Sequence, residues 1–163
     1  GVDIIFFDAE DWGYPSFLEN EPAGEWWCLG SQYWAKNPHV PGYKAKYGIL
    51  LDMVGAPSAK FGKEHFSKQY AGDVVEKVWS VARQLDYGAY FVNKDGGSVM
   101  DDHVPVIRDR KIPSIDIIQY DETTDTGFGA YWHTQKDDMT NISKETLKAV
   151  GQTVLEVVYL EKE

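Results

Sequence analysis

Acidic side chains follow directly on two apolar stretches of this sequence. The run VDIIFF at 2–7 ends close to Glu10 and Asp11, and the run YGILL at 47–51 ends on Asp52. Carboxylates act as general acids and bases, and they bind divalent cations when several converge. The two neighbouring acids at the end of an apolar run therefore form the first candidate site.

Two further motifs place histidine beside an acid or an aromatic ring. Asp101, Asp102 and His103 stand together as DDH, and Trp132 precedes His133. Zinc sites combine His nitrogen with Asp or Glu oxygen, and catalytic ones keep a position open for water or substrate. Each motif alone is more typical of a turn or a packed side chain, but their occurrence together favours zinc, with a free glutamate as proton carrier.

The remaining candidates have simpler explanations. The acidic loop NKDGGSVMDD at 93–102 resembles a calcium loop, but it lacks the spacing and the final Glu of an EF-hand. His39 and His65 are expected to be surface or packing residues. Cys28, the only cysteine, is expected to be a buried structural thiol rather than a reactive one. A single cysteine also excludes an internal disulfide.

Composition and charge limit the classes of function. The chain has 163 residues, of which 43% are hydrophobic, and 26 acidic residues against 16 Lys and Arg give a formal net charge of −10. This size suits a single domain over 1–163. The charge disfavours nucleic acid and anionic lipid, and it favours a metal cation or a peptide amino terminus. We find no apolar stretch long enough to span a bilayer.

Hydrophobic periodicity predicts the elements that position these residues. Continuous apolar runs predict strands at 2–7, 47–51, 89–92 and 113–118. The first of these reads as a fully buried strand. Apolar spacings of three and four predict helices at 29–35, at 64–85 and from Ser143 onward. The pattern predicts an α/β three-layer sandwich with a central mixed, largely parallel sheet flanked by helices, whose strand ends gather the candidates in one crevice.

Four motifs carry a resemblance to a known family. They are FFDAEDWG at 6–13, GILLDMVGA at 48–56, DDHVPV at 101–106 and YWHTQKDDM at 131–139. In this order they resemble the zinc-dependent aminopeptidase and glutaminyl cyclase superfamily, and within it the bacterial glutaminyl-peptide cyclotransferases. The resemblance runs from the first predicted strand to the last helix. It implies the fold of that superfamily, of which this chain would be the C-terminal portion.

The resemblance implies one zinc ion held partly by this chain. Asp11 and His133 would be zinc ligands, and Glu10 would be the proton shuttle beside the metal. The family usually has Glu where Asp11 stands, so either the metal would lie closer to the strand end here or the loop would shift. A further Asp ligand comes in the family from a segment that would precede Gly1. We therefore expect that ligand from upstream of this chain.

The other matching residues would surround the substrate. Asp52 and Asp101 would form the carboxylate network that holds the proton shuttle and the substrate amine. Trp132 would wall the pocket for a glutamine side chain, while Asp102 and His103 would have supporting roles. The other tryptophans near the first motif, Trp12 among them, are expected to pack onto the fold rather than to line a peptide-binding mouth.

Three functions remain open at this stage. A cyclase converts the N-terminal glutamine of a peptide to pyroglutamate with release of ammonia, whereas a zinc aminopeptidase uses Glu10 to activate water. Asp101, where the peptidases commonly have Ser, and Trp132 favour the cyclase. The third possibility is an inactive relative that binds peptides. In each case the partner is a peptide or protein N-terminus, and the resemblance implies a periplasmic, envelope-anchored or secreted location.

Overall fold

The computed structural model describes residues 1–11, 13–15, 17–20 and 25–161. Four helices and four strands are labelled in chain order: α1 Leu29–Lys36, β1 Gly48–Asp52, β2 Phe61–Lys63, α2 His65–Gln84, β3 Phe91–Asp95, α3 His103–Pro105, β4 Ser114–Ile118 and α4 Lys144–Leu160. The short helix α3 continues into a π-helical turn over Val106–Arg110, and a 3-10 turn covers Met139–Asn141.

The strands form two parallel pairs. β1 pairs with β4, with Gly48 opposite Ser114 and Asp52 opposite Ile118. β2 pairs with β3, and an antiparallel bridge between Phe61 and Gln119 joins the two pairs. Because parallel strands end at the same edge, Asp52 lies where β1 and β4 both end. The predicted α/β class with parallel strand pairing is confirmed.

The two long helices pack over these strands. α2 lies against β3 and β4, and α4 lies against α2. The apolar residues of α2 meet Phe61, Phe91 and the isoleucines of β4 in one buried core. The side chain of Glu64 caps the start of α2, and the side chain of Ser143 caps the start of α4. Each accepts hydrogen bonding from backbone N–H groups of the first helical turn. The backbone of α2 is bent at Ala71, which has non-helical dihedral angles.

The predicted strand at 2–7 is wrong for the described structure. No strand is assigned there, and the side chains of Val2, Ile4 and Phe6 are 62%, 78% and 92% exposed. The segment instead contacts the region of α1, where the ring of Phe7 lies edge-on to Trp34 at 5.9 Å. A strand needs a hydrogen-bonded neighbour as well as apolar side chains, and in the described part of the chain β1 pairs with β4 alone.

Most other predicted elements are confirmed within a few residues. The helices at 29–35, at 64–85 and after Ser143 match α1, α2 and α4, and the strands at 47–51 and 113–118 match β1 and β4. The strand expected at 89–92 starts later, at Phe91, and β2 was not predicted. Trp12 lies outside the described residues. Among those described, no helix is long and apolar enough to cross a membrane.

Candidate active site

Four predicted acids line one cleft at the end of β1. The cleft has a volume of about 260 Å³. The acidic part of its lining consists of Glu10, Asp52, Asp101 and Asp102 and is called the acidic wall. The apolar part consists of residues 5–7, 50 and 51. The structure therefore brings together side chains that lie up to 92 positions apart in the sequence (Glu10 to Asp102).

The first turn of α1 holds the segment that carries Glu10. The backbone amides of residues 28, 29 and 30 donate to the carbonyl oxygens of residues 10, 9 and 8, over 2.7, 3.0 and 3.0 Å. Such amides have no partner inside a helix and are free for this contact. A Cβ atom on Gly30 would lie 2.2 Å from the Asp8 carbonyl oxygen, so only glycine allows the approach. Ala9 has a φ of 53°, which turns the chain just before Glu10.

The acids of the cleft raise one another's pKa. Burial, followed by the charges of Asp52, Asp102 and Asp11, raises the pKa of Glu10 to about 7, against a weak opposing hydrogen bond from the Cys28 thiol. Burial and the charges of Asp52 and Glu10 raise the pKa of Asp101 to about 7. A carboxyl group that titrates near neutral pH can both accept and donate a proton during a reaction.

Asp52 and Asp102 complete the acidic wall. Burial raises the pKa of Asp52, the last residue of β1, although its carboxylate accepts a hydrogen bond from the Met53 amide. Met53 has a φ of 49°, a conformation that is uncommon for its side chain. Burial also raises the pKa of Asp102, while Ser31 and His103 oppose the rise. Backbone strain and perturbed acids in one cleft are typical of functional sites.

The acidic wall suits a positively charged group, either a metal ion or an ammonium. Among the described residues, Glu10, Cys28 and Asp101 bring one potential ligand atom each within 4.8 Å of one another. Burial raises the pKa of the Cys28 thiol, which disfavours the thiolate form that binds metals. Cys28 is 2% exposed, as expected for a buried thiol. Carboxylate oxygens are thus the donors that fit a cation here.

Asp11 and His133 lie at the surface. Both side chains are exposed. Asp11 is near enough to raise the pKa of Glu10 and of Asp52. The His133 ring stacks on Trp132, with ring centres 3.8 Å apart, and Trp132 in turn lies 5.0 Å from the Phe128 ring. Neither Asp11 nor His133 belongs to a group of three or more potential ligand atoms among the described residues, so their role as zinc ligands stays a prediction.

A buried polar network lies behind the acidic wall. The Glu64 carboxylate accepts hydrogen bonds from the backbone amides of Phe66 and Ser67, over 2.9 and 2.7 Å. It also lies 3.2 Å from Nε2 of His103. Burial acts to raise the pKa of Glu64, but hydrogen bonds from His103 and the two amides lower it to about 2. Glu64 and His103 are 1% and 2% exposed. The network anchors the turn at 101–103 to the start of α2.

Glu64 and Asp116 belong to this region but were not predicted. Asp116 lies in the middle of β4 with no exposed surface. Its signal in the sequence is an acid inside the apolar stretch SIDII, where a lone carboxyl group needs a special partner. Glu64 is the first residue of the helix predicted at 64–85, and in the structure it occupies the N-cap position. His39 and His65 are exposed and lie away from the cleft, as expected.

Comparison with known proteins shows which family this chain belongs to. The sequence model of peptidase family M28 matches residues 1–158 of this chain. The structure resembles that of Tannerella forsythia glutaminyl cyclase at 60% identity and a TM-score of 0.90, covering 96% of this chain and 54% of that one. A Zn-dependent exopeptidase from Parabacteroides distasonis is 61% identical with a TM-score of 0.91, and the match covers 96% of this chain and 53% of that one.

A curated relative is more distant in sequence. The glutaminyl-peptide cyclotransferase of Gloydius blomhoffii is 28% identical in an alignment of 179 positions that covers 98% of this chain and 45% of that protein. The chain thus spans about half the length of the relatives and solved structures it matches. The family match nevertheless extends over nearly all of its residues. The chain belongs to peptidase family M28.

Proposed function

We propose that this chain is the C-terminal portion of a zinc-dependent glutaminyl-peptide cyclotransferase, with residues 1–163 lying in one catalytic domain. The observation that carries the proposal is the pair of Glu10 and Asp101. Oxygen atoms of the two carboxyl groups lie within 4.8 Å of each other, and each group has a pKa raised to about 7. A cyclase must hold the amino group of its substrate and move protons there, and two such carboxyls suit both tasks.

The reaction joins two ends of one residue. The α-amine of an N-terminal glutamine attacks its own γ-carboxamide carbon, the new C–N bond closes a five-membered ring, and the old C–N bond breaks to release ammonia. Because both partners belong to one residue, holding them in a reactive geometry contributes much of the rate. Glu10 accepts the proton that the amine loses and returns it to the departing nitrogen.

The other residues of the cleft support this transfer. Asp52 and Asp101 flank Glu10, and they would hold the substrate amine and the shuttle in line. Trp132 would wall the pocket for the glutamine side chain, and His103 would hold the turn that bears Asp101. A single zinc ion, with Asp11 and His133 as ligands from this chain, would polarise the γ-carbonyl when bound. A further ligand is expected from upstream of Gly1.

An aminopeptidase activity is the second candidate, because the similar protein from Parabacteroides distasonis is described as a Zn-dependent exopeptidase. The two activities can be distinguished by the peptides on which they act. The intact protein should release ammonia from peptides that begin with Gln and leave Leu- and Ala-initiated peptides whole. Free Leu or Ala without any change in Gln peptides would instead establish the peptidase. Binding of peptides without either product would point to an inactive relative.

The location follows from the same proposal. An enzyme that modifies peptide N-termini would work in the periplasm, on the cell envelope or outside the cell, as the resemblance implies. Cell fractionation with an antibody to the intact protein would test this, and recovery in the cytoplasmic fraction would contradict it.

A further inference from the structure

Asp116 is a buried acid whose charge is not balanced. It lies at the centre of β4 with no exposed surface, and neither carboxyl oxygen accepts a hydrogen bond from an N–H or hydroxyl group of the described residues. Its backbone amide is satisfied by the Ser67 hydroxyl at 2.9 Å. The backbone amide is therefore paired, whereas the two side-chain oxygens lack the donors that a carboxylate requires among the described residues.

The charged groups with the largest effect on Asp116 are three other acids. Asp101 faces it from the turn before α3, Asp52 from the end of β1 and Glu64 from the start of α2. His103, the nearby group that can carry positive charge, is directed at Glu64 by its Nε2 atom. Burial and these three acids raise the pKa of Asp116 well above its usual value. A negative charge at this position would be buried and would face the three acids.

A neutral carboxylic acid has one hydroxyl donor, and the structure offers an acceptor. Asp101 is in hydrogen-bonding contact with Asp116. The Asp101 carboxyl group also accepts a hydrogen bond at Oδ1 from the Asp102 amide, over 2.5 Å. A second donor would help to fix the plane of the Asp101 carboxylate and its orientation toward Glu10.

We propose that Asp116 is a neutral carboxylic acid that donates a hydrogen bond to Asp101 and so acts as a positioning residue for the cleft. Asp116 itself does not touch the substrate. Its effect on turnover rests on the proposed function, because it acts through Asp101. The protonated state of Asp116, in contrast, is a property of the fold and holds whatever reaction the cleft catalyses.

Two substitutions test the hydrogen bond in the intact, zinc-loaded protein. Asp116→Asn keeps a neutral donor of the same shape, so kcat for ammonia release should stay within about threefold of the wild type. Asp116→Ala removes the donor, so kcat should fall about 10- to 100-fold with a smaller change in KM. Ser114→Ala is the control, since Ser114 is buried two positions away on the same strand, and it should leave kcat unchanged.

Infrared spectroscopy can detect the protonated state of the Asp116 carboxyl group directly. We would compare the wild type with Asp116→Asn at about pH 8.5, above the pKa of about 7 of Glu10 and Asp101. The wild type should show the C=O band of a protonated carboxyl group, and the variant should lack it. This result does not depend on cyclase activity or on how Asp116→Ala folds, so it separates a failure of this proposal from a failure of the proposed function.

Three results would overturn the proposal. One is the absence of the protonated-carboxyl band in the wild type, which would mean that Asp116 is ionised. Another is an Asp116→Asn variant that folds and binds zinc but is as slow as Asp116→Ala. The last is an Asp116→Ala variant with normal kcat, which would leave Asp116 protonated but without a positioning role.

Discussion

Glu10 and Asp11 are adjacent in the sequence, but their surroundings differ. Glu10 is half-buried in the cleft, where burial and three nearby acids raise its pKa to about 7. Asp11 is exposed beside it. Because proton transfer is most efficient when the pKa is close to the working pH, Glu10 suits the transfer step. Of the two, Asp11 is the residue proposed to bind the zinc ion.

Replacing Glu10 by Gln should separate catalysis from metal binding. The amide keeps the shape of the side chain but cannot carry the proton, so kcat for ammonia release should fall by about 10²- to 10⁴-fold. Zinc content, measured by metal analysis, should not change, since Glu10 is not a proposed ligand. Glu156→Gln, at an exposed position of α4, is the matched control. Wild-type turnover in Glu10→Gln would rule out this residue as the proton carrier.

Replacing His133 by Ala should weaken zinc binding. Loss of a side chain that only supports a ligand costs about 10- to 100-fold in metal affinity, so loss of a ligand should cost at least about 100-fold. His39→Ala is the control, because His39 is also exposed and lies beside a tryptophan, accepting the Trp34 Nε1–H over 3.2 Å. Competition with a chelator would measure both affinities. If His133→Ala holds zinc as tightly as the control, His133 is not a ligand.

Residues that line the cleft could be predicted from the sequence, whereas the residues buried behind the cleft were largely missed. Glu10, Asp52 and Asp101 follow or flank apolar segments, and strand ends are where function gathers in α/β folds. Asp116 has its role because three other acids surround it in space. That environment is created by β1, α2 and the turn before α3 together; the acid within the apolar stretch SIDII indicates a buried carboxyl group but not which groups surround it.

At the scale of elements, the first turn of α1 decides where Glu10 lies. Three amides of this turn bind the carbonyl groups of 8–10, and Gly30 permits the approach. Gly30→Ala should displace this segment, because the new Cβ atom would overlap the backbone of Asp8. A displacement of about 1 Å can reduce turnover by about 10²-fold. Steady-state kinetics of the intact protein would measure the loss.

A second glycine provides the control for this prediction. A Cβ atom on Gly151 in α4 would meet nothing within 4 Å. Gly151→Ala should therefore leave kcat unchanged and stabilise the helix slightly, by up to about 1 kcal/mol. Equal kinetics for the two variants would show that the contact between α1 and the segment at 8–10 does not control the active site.

The cap of α2 should make stability depend on pH. Burial opposes ionisation of Glu64, but its hydrogen bonds lower the pKa to about 2 from a usual value of 4.5. Because the folded pKa is the lower one, the stabilisation is complete above about pH 4.5 and is lost as the pH falls through about 2. It amounts to roughly 3 kcal/mol.

Glu64→Gln tests this cap, because glutamine keeps the size of the side chain and cannot ionise. The difference in unfolding free energy between wild type and variant, measured by urea titration, should be constant from about pH 7 to about pH 5 and should shrink as the pH falls toward 2. A difference that stays the same at low pH would contradict the assigned charge of Glu64.

The elements that the sequence predicted well are those whose signal is local. The period of apolar residues in α2 and α4 depends only on their own sequence, as does the capping by Ser143. A strand depends in addition on a partner. The run at 2–7 has strand-like composition but is not paired in the described structure, whereas β2 is only three residues long and exists because β3 lies beside it.

At the scale of the whole molecule, charge and site agree. The chain carries a formal net charge of −10, and its cleft concentrates four acids. Both features favour a partner with a positive group, such as the amino terminus of a peptide. Since the chain spans about half the length of its relatives, the intact protein is the proper object for every functional test.

Mass spectrometry of a Gln-initiated peptide, incubated with the intact zinc-loaded protein, tests the central claim most directly. We predict that the peptide loses the mass of one ammonia molecule, that its free amino group disappears, and that Glu10→Gln suppresses both changes. A peptide that instead loses its first residue, or that keeps its mass and its amino group, would contradict the assignment of this cleft to glutaminyl cyclisation.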